Sequence, residues 1–181
     1  GVQTCALPIS HLGQSVADVV NMAKMLGPRA MIGDAFGIVD ANGRVFPSSN
    51  LNNRYYSNFL DSVHDENIPI IFVVGGATSD QFKHVVTDPV LRAAAIEDIM
   101  HYVRVRKYDG VDINLEDPTD DDQKNGLTAF VQELRQELDQ LAGQKLLIVN
   151  ITPGYYLKHF DVVAMNNDVD YFNYQAYGFG P

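Results

Sequence analysis

The sequence has no tryptophan, one cysteine, and a shortage of positive charge: 13 Lys and Arg stand against 23 Asp and Glu, for a net charge of −10. The basic residues are scattered, so there is no clustered surface for a phosphate backbone, and nucleic acid is not an expected partner. No apolar run reaches the length that crosses a bilayer, so no membrane partner is expected. The five histidines, His11, His64, His84, His101 and His159, form no HxxxH or other ligand spacing, and the lone Cys5 has no second thiol to join it. No metal and no cofactor is therefore expected.

What is present is the composition of one globular domain or part of one, 46% hydrophobic and 20% charged over 181 residues. Cys5 lies in the opening stretch GVQTCALPIS. That stretch lacks the start methionine, charged leader and long apolar core of a signal peptide. GVQTCALPI is also the translation of GGA GTT CAG ACG TGT GCT CTT CCG ATC, which resembles the end of a short-read sequencing adapter. Residues 1–9 are accordingly expected to be adapter-derived, with Ser10 at the join and 10–181 the protein proper. No redox inference is drawn from Cys5.

From Gln14 to Leu26, Val16, Val19, Val20, Ala23 and Leu26 recur at helical spacing before Gly27-Pro28. AMIGDAFGIVD has the character of a buried strand, with ANG and RVF as a turn and short return. A helix is expected at Tyr55 to His64. IPIIFVVGG (Ile68 to Gly76) is a β-branched run closed by two glycines, as in a parallel strand covered on both faces. A polar loop and a long helix, Pro89 to Lys107, come next. Then follow a strand in YDGVDINLE, a helix from Leu127 to Leu141, and strands in KLLIVNIT and VDYFNYQAY. Five strands alternating with helices indicate a parallel α/β sheet, either doubly wound or part of an eight-stranded barrel.

In Gly110 to Glu116 side chains alternate, so Asp112, Asn114 and Glu116 share one face and Val111, Ile113 and Leu115 the other. Two carboxylates and an amide in file on a buried strand are costly unless they bond one another or a ligand. The bland reading is a solvated acidic edge strand, but the flanking β-branched residues and leucine favour burial on both sides.

DGVDINLE resembles the DGxDxDxE motif of glycoside hydrolase family 18, the chitinases and related endo-N-acetylglucosaminidases. The likeness continues in IIFVVGGATSDQF (Gly75, Gly76, Ser79, Phe82), in DAFGIVDANG (Ala35-Phe36) and in VDYFNYQAY (Gln175, Tyr177), four segments in order across Ala30 to Tyr177. It implies a (β/α)₈ TIM barrel, here incomplete and spanning barrel strands two to six, with the active site at the C-terminal strand ends. It also implies hydrolysis of β-linked N-acetylglucosamine polymers or N-glycan cores with help from the substrate's own acetamido group. In that scheme Glu116, ending its strand, is the general acid and later the base. Tyr177 bonds the acetamido carbonyl, Asp112 belongs to the supporting network, and Gln175 contacts the reacting sugar, while Ala35, Phe36 and Gly76 line the site. Asp109, on the opposite face, is structural. A substrate of this class favours a secreted or extracytoplasmic location, on that ground alone.

The sequence departs from the family pattern at Asn114, where Asp is usual. Asn still accepts an N–H through its carbonyl oxygen, but it offers a dipole in place of a charge, a loss of roughly 10²–10³ in rate by analogy with an oxyanion-hole donor. The related glycoside hydrolase family 85 uses Asn-x-Glu for the same task. Further departures are Val73 for Ser, Ala77 for an aromatic residue, and Gly178 for Asp. A carbohydrate-binding protein that keeps the cleft without turnover is the alternative. DPTDDDQKN lacks EF-hand spacing and reads as a solvated loop capping the next helix. Gly75-Gly76 is part of no phosphate-loop pattern and reads as tight packing at a strand end.

Overall fold

The computed structural model describes residues 6–9, 15–48 and 54–175. Six parallel strands lie in the order β1 (Ala6–Ile9), β2 (Met31–Val39), β4 (Ile70–Gly75), β5 (Gly110–Asn114), β6 (Leu146–Ile151) and β7 (Tyr171–Tyr174). The short β3 (Val45–Pro47) folds back antiparallel on β2, as the ANG turn predicts. Sequential order without reversal, each strand returning through a helix, is a segment of (β/α)₈ barrel wall and not a doubly wound sheet. β2, β4, β5, β6 and β7 are the five expected strands. β1 adds an edge strand paired from Ala6↔Met31 to Ile9↔Asp34. Edge pairing uses backbone groups that any sequence carries, so β1 is compatible with the adapter origin proposed for residues 1–9.

The connecting helices are α1 (Val16–Leu26), α2 (Arg54–Asp65), α3 (Ser79–Thr87), α4 (Pro89–Arg106), α5 (Asp121–Leu138) and the short α6 (Val162–Met165). Their starts are legible chemically. Ser15 and Asp18 form a capping box on α1, Asp88 caps α4 ahead of Pro89, and Asp120 caps α5. The acidic run after Pro118 is thus a helix start, with Asp121 and Asp122 in its first turn, where the helix dipole favours negative charge.

Two stretches depart from expectation: α5 begins at Asp121 and not at Leu127, so Asp121 to Asn125, read as part of a capping loop, are its first turns. The segment read as a polar loop contains α3, whose buried residues Ser79, Phe82, Val85 and Val86 fall three, six and seven apart. Its N-cap, Thr78, makes no side-chain bond to the helix, accepting instead from the Val39 N–H, and only three of its nine residues are apolar, so tertiary packing fixes it. Phe82 meets Phe130 of α5 edge-on, with ring centroids 5.2 Å apart.

The sheet separates two environments. Toward the helices point Ile32, Phe72, Val74, Val111, Ile113, Leu115, Leu147, Val149 and Ile151, packed with Val85, Ile99, Phe130 and Leu134 in the main core. On the other face, the barrel interior, Met31, Ile71 and Ile148 form a small apolar cluster, while Asp112, Asn114 and Asn150 are buried and polar. Asp109 accepts the Ile70 N–H at 2.9 Å and lies 3.5 Å from His64, a structural placement. Among the described residues, no helix is long and apolar enough to cross a membrane.

Gly126 tests the packing of α5 on α3. A Cβ there would lie 2.4 Å from the Val86 carbonyl oxygen. Helix propensity alone favours alanine by about 1 kcal/mol, but the clash with rigid backbone reverses the sign. Gly126→Ala is expected to destabilise by about 1–3 kcal/mol, read as a lower urea midpoint; an unchanged or higher midpoint would contradict this packing.

Candidate active site

The polar face of β5 points into the barrel interior, as the alternation predicts. Asp112 and Asn114 are 6% and 8% exposed, and Glu116 is half-buried. The ladder ends two residues earlier than expected: Gly75↔Asn114 is the last β4–β5 pair, so Glu116 lies two residues beyond its strand. The paired glycines are the cause. Gly75 and Gly76 have φ of +107° and +65° and turn β4 away, leaving no neighbour to continue the ladder.

The same glycines bring the strands close. A Cβ on Gly75 would lie 2.3 Å from the Asn114 carbonyl oxygen, and one on Gly76 would lie 2.9 Å from the Phe36 ring and 3.3 Å from Asn114 Nδ2. Phe36, Gly76 and Asn114 therefore converge, with Ala35 joined to Phe36 by a cis peptide bond and paired with Val73.

Two hydrogen-bonded chains run across this face. In the first, Gln175 Nε2 donates to Asn114 Oδ1 at 2.9 Å, and Asn114 Nδ2 donates to Glu116 Oε1 at 3.4 Å. In the second, Asn173 Nδ2 donates to Asn150 Oδ1 at 2.6 Å, and Asn150 Nδ2 donates to Asp112 Oδ1 at 2.5 Å. An amide donates from its nitrogen and accepts at its oxygen, so each chain runs from amide to amide and ends on an acid of the β5 segment. Burial pushes the Asp112 carboxyl up to about 7, because the interior disfavours its charged form.

Of the residues singled out from sequence, Glu116, Asn114, Gln175, Gly76 and Phe36 come together, Ala35 adjoins them, and Asp112 lies in the neighbouring chain. Tyr177 lies outside the described residues. Asn150 and Asn173 were not anticipated. Their signal was parity: each occupies an inward position of its strand, as Ile148 and Gln175 do. Among the described residues, no group of three or more His, Cys, Asp or Glu could hold a metal ion.

Comparison with known proteins places the fold. A chitinase-like agglutinin from Robinia pseudoacacia superposes with a TM-score of 0.83 at 20% identity, covering 96% of this chain and 54% of that one. A class V chitinase from Nicotiana tobaccum, solved as a Glu-to-Gln mutant in complex with NAG4, gives 0.82 at 16% identity, covering 98% of this chain and 53% of that one. Nod factor hydrolase protein 1 of Medicago truncatula is 26% identical over 123 residues, which are 61% of this chain and 32% of that protein. The chain thus spans about half of these solved structures and about a third of the curated relative. The model of the family described as Glycosyl hydrolases family 18 matches residues 20–181, and with that match the chain belongs to glycosyl hydrolase family 18.

Proposed function

We propose that the whole protein carrying this chain hydrolyses β-linked N-acetylglucosamine-containing glycans, of chitin or N-glycan-core type, by a substrate-assisted retaining mechanism. The observation that carries this reading is Glu116: one half-buried carboxyl just past the C-terminal end of β5, reached by the hydrogen-bonded pair Asn114 and Gln175. One enzymatic acid suffices when the sugar's acetamido oxygen is the nucleophile. Glu116 protonates the glycosidic oxygen and afterwards takes a proton from water. Asn114 Oδ1 holds the acetamido N–H with the lone pair that Gln175 leaves free. Gln175 Nε2 has a second hydrogen for the sugar, and Tyr177 bonds the acetamido carbonyl. The solved chitinase complex with NAG4 supports an oligosaccharide of this class as the ligand.

A second reading rests on a specific contact. Residue 114 meets Glu116 with an N–H donor, which supplies no negative charge to a developing cation. The fold likeness to a chitinase-like agglutinin is in keeping with a protein that binds sugar without cleaving it.

Glu116→Gln is expected to abolish release of product from chitooligosaccharides while leaving their binding within a few-fold, measured by chromatography and calorimetry. If the unaltered whole protein binds sugar and releases nothing, while Asn114→Asp gains turnover, the binding-protein reading replaces the glycosidase one.

Asp112 generates a prediction in pH. Its folded pKa, about 7, stands above the ordinary 3.8, so between these values the native state holds more of this proton than the unfolded chain does. Its contribution to stability therefore falls as pH rises from about 4 to about 7 and is flat outside that window, by at most roughly 4 kcal/mol. Relative to the native protein, Asp112→Asn should lose less stability across that interval in urea titrations. Equal slopes would show that burial does not hold the Asp112 proton.

A further inference from the structure

Glu116, the proposed acid of this site, has no place in a strand, because the ladder stops at Asn114. A backbone N–H that leaves a ladder loses its partner and must find another or be solvated. Here two side-chain hydroxyls, from two different strand exits, take over. The Glu116 N–H donates to Ser79 Oγ at 3.0 Å, and the Asp117 N–H donates to Thr152 Oγ1 at 3.3 Å. Ser79 opens α3, which follows β4, while Thr152 follows β6 directly. The residues after β5 are therefore held from both sides, by its two neighbours in the sheet.

The polarity of the Ser79 hydroxyl fits this use. Its single proton goes to the Gly76 carbonyl oxygen at 2.6 Å, the shorter of two contacts, the other being the Asn114 carbonyl at 3.4 Å. That leaves an oxygen lone pair for the Glu116 N–H. Ser79 is 8% exposed and belongs to the same helix as Phe82, which packs on Phe130, so the hydroxyl is tied to the core and not to a mobile surface. On the other side, Asp117 adopts φ +53°, which turns the chain immediately after Glu116 and presents its N–H to Thr152. Aspartate tolerates that left-handed conformation better than most residues do.

We propose that Ser79 and Thr152 form a two-hydroxyl clamp that sets the position of Glu116 against the sugar, making them positioning residues for the reaction. The proposal rests on the reading of Glu116 as the acid. A catalytic group displaced by about 1 Å can lose on the order of 10²-fold in rate. Removing either hydroxyl should thus act on the chemical step and leave sugar binding alone.

The test uses the whole protein and two readouts. In residue-resolved amide hydrogen exchange, Ser79→Ala should speed exchange at Glu116, and Thr152→Val at Asp117, each by at least about ten-fold, with Val111 to Ile113 unchanged. On a chitooligosaccharide substrate, each variant should lower kcat by about 10- to 100-fold with KM within about two-fold. Thr152→Ser, which keeps the hydroxyl, should restore both readouts, which a purely packing role of the threonine methyl would not. Unchanged exchange at Glu116 in Ser79→Ala overturns the clamp. Faster exchange with unaltered kcat also overturns it, since the hydroxyls would then hold backbone without positioning the acid. If the unaltered protein hydrolyses nothing, the glycosidase reading fails, and the clamp stands or falls on the exchange rates.

Discussion

Polar side chains on a strand covered from both sides must find partners, because no water is there to replace them. On the inner face of this sheet, that requirement is met by two chains of amides, Gln175 to Asn114 to Glu116 and Asn173 to Asn150 to Asp112. Each begins at or just beyond β7 and ends on an acid of the β5 segment. In every link an amide nitrogen donates to the oxygen of the next group, so both chains run in the same sense across the sheet. The remaining features of the site fit around these chains.

The glycines serve that requirement by geometry. Side chains at Gly75 or Gly76 would intrude on the Asn114 carbonyl, the Phe36 ring and the Asn114 amide, so only bare backbone lets β4 approach. The turn they impose ends the ladder at Asn114 and leaves Glu116 in irregular chain. A group that must meet a substrate gains reach by leaving the strand, and the Ser79 and Thr152 hydroxyls offset the loss of positional definition. On the helix side, Val111, Ile113 and Leu115 anchor the same segment in the main core, so the alternation of one short strand separates stability from chemistry.

Much of this was legible in the sequence because it depends on parity and punctuation. Period-two alternation placed Asp112 and Asn114 inward, and the continuous Ile70–Gly75 run announced a strand buried on both faces, whereas α5 begins at Asp121, six residues before the expected Leu127. What escaped depends on tertiary partners. α3 has three apolar residues and no side-chain cap, so its helicity is visible only once Phe82 has Phe130 to pack against. Asn150 and Asn173 look like ordinary polar residues in apolar strands until register places them beside Asp112. The end of β5 at Asn114 is decided by Gly75 and Gly76 at the end of β4, 39 and 38 residues away in sequence.

The central claim is that this inner face supports hydrolysis in which the sugar's acetamido group, and not water, first attacks the anomeric carbon. The most direct measurement is proton NMR of the first product released by the whole protein from a β-linked N-acetylglucosamine oligosaccharide, taken before mutarotation. The account predicts the β anomer, since two displacements at one carbon retain configuration. Initial release of the α anomer would require direct attack by water and would contradict it.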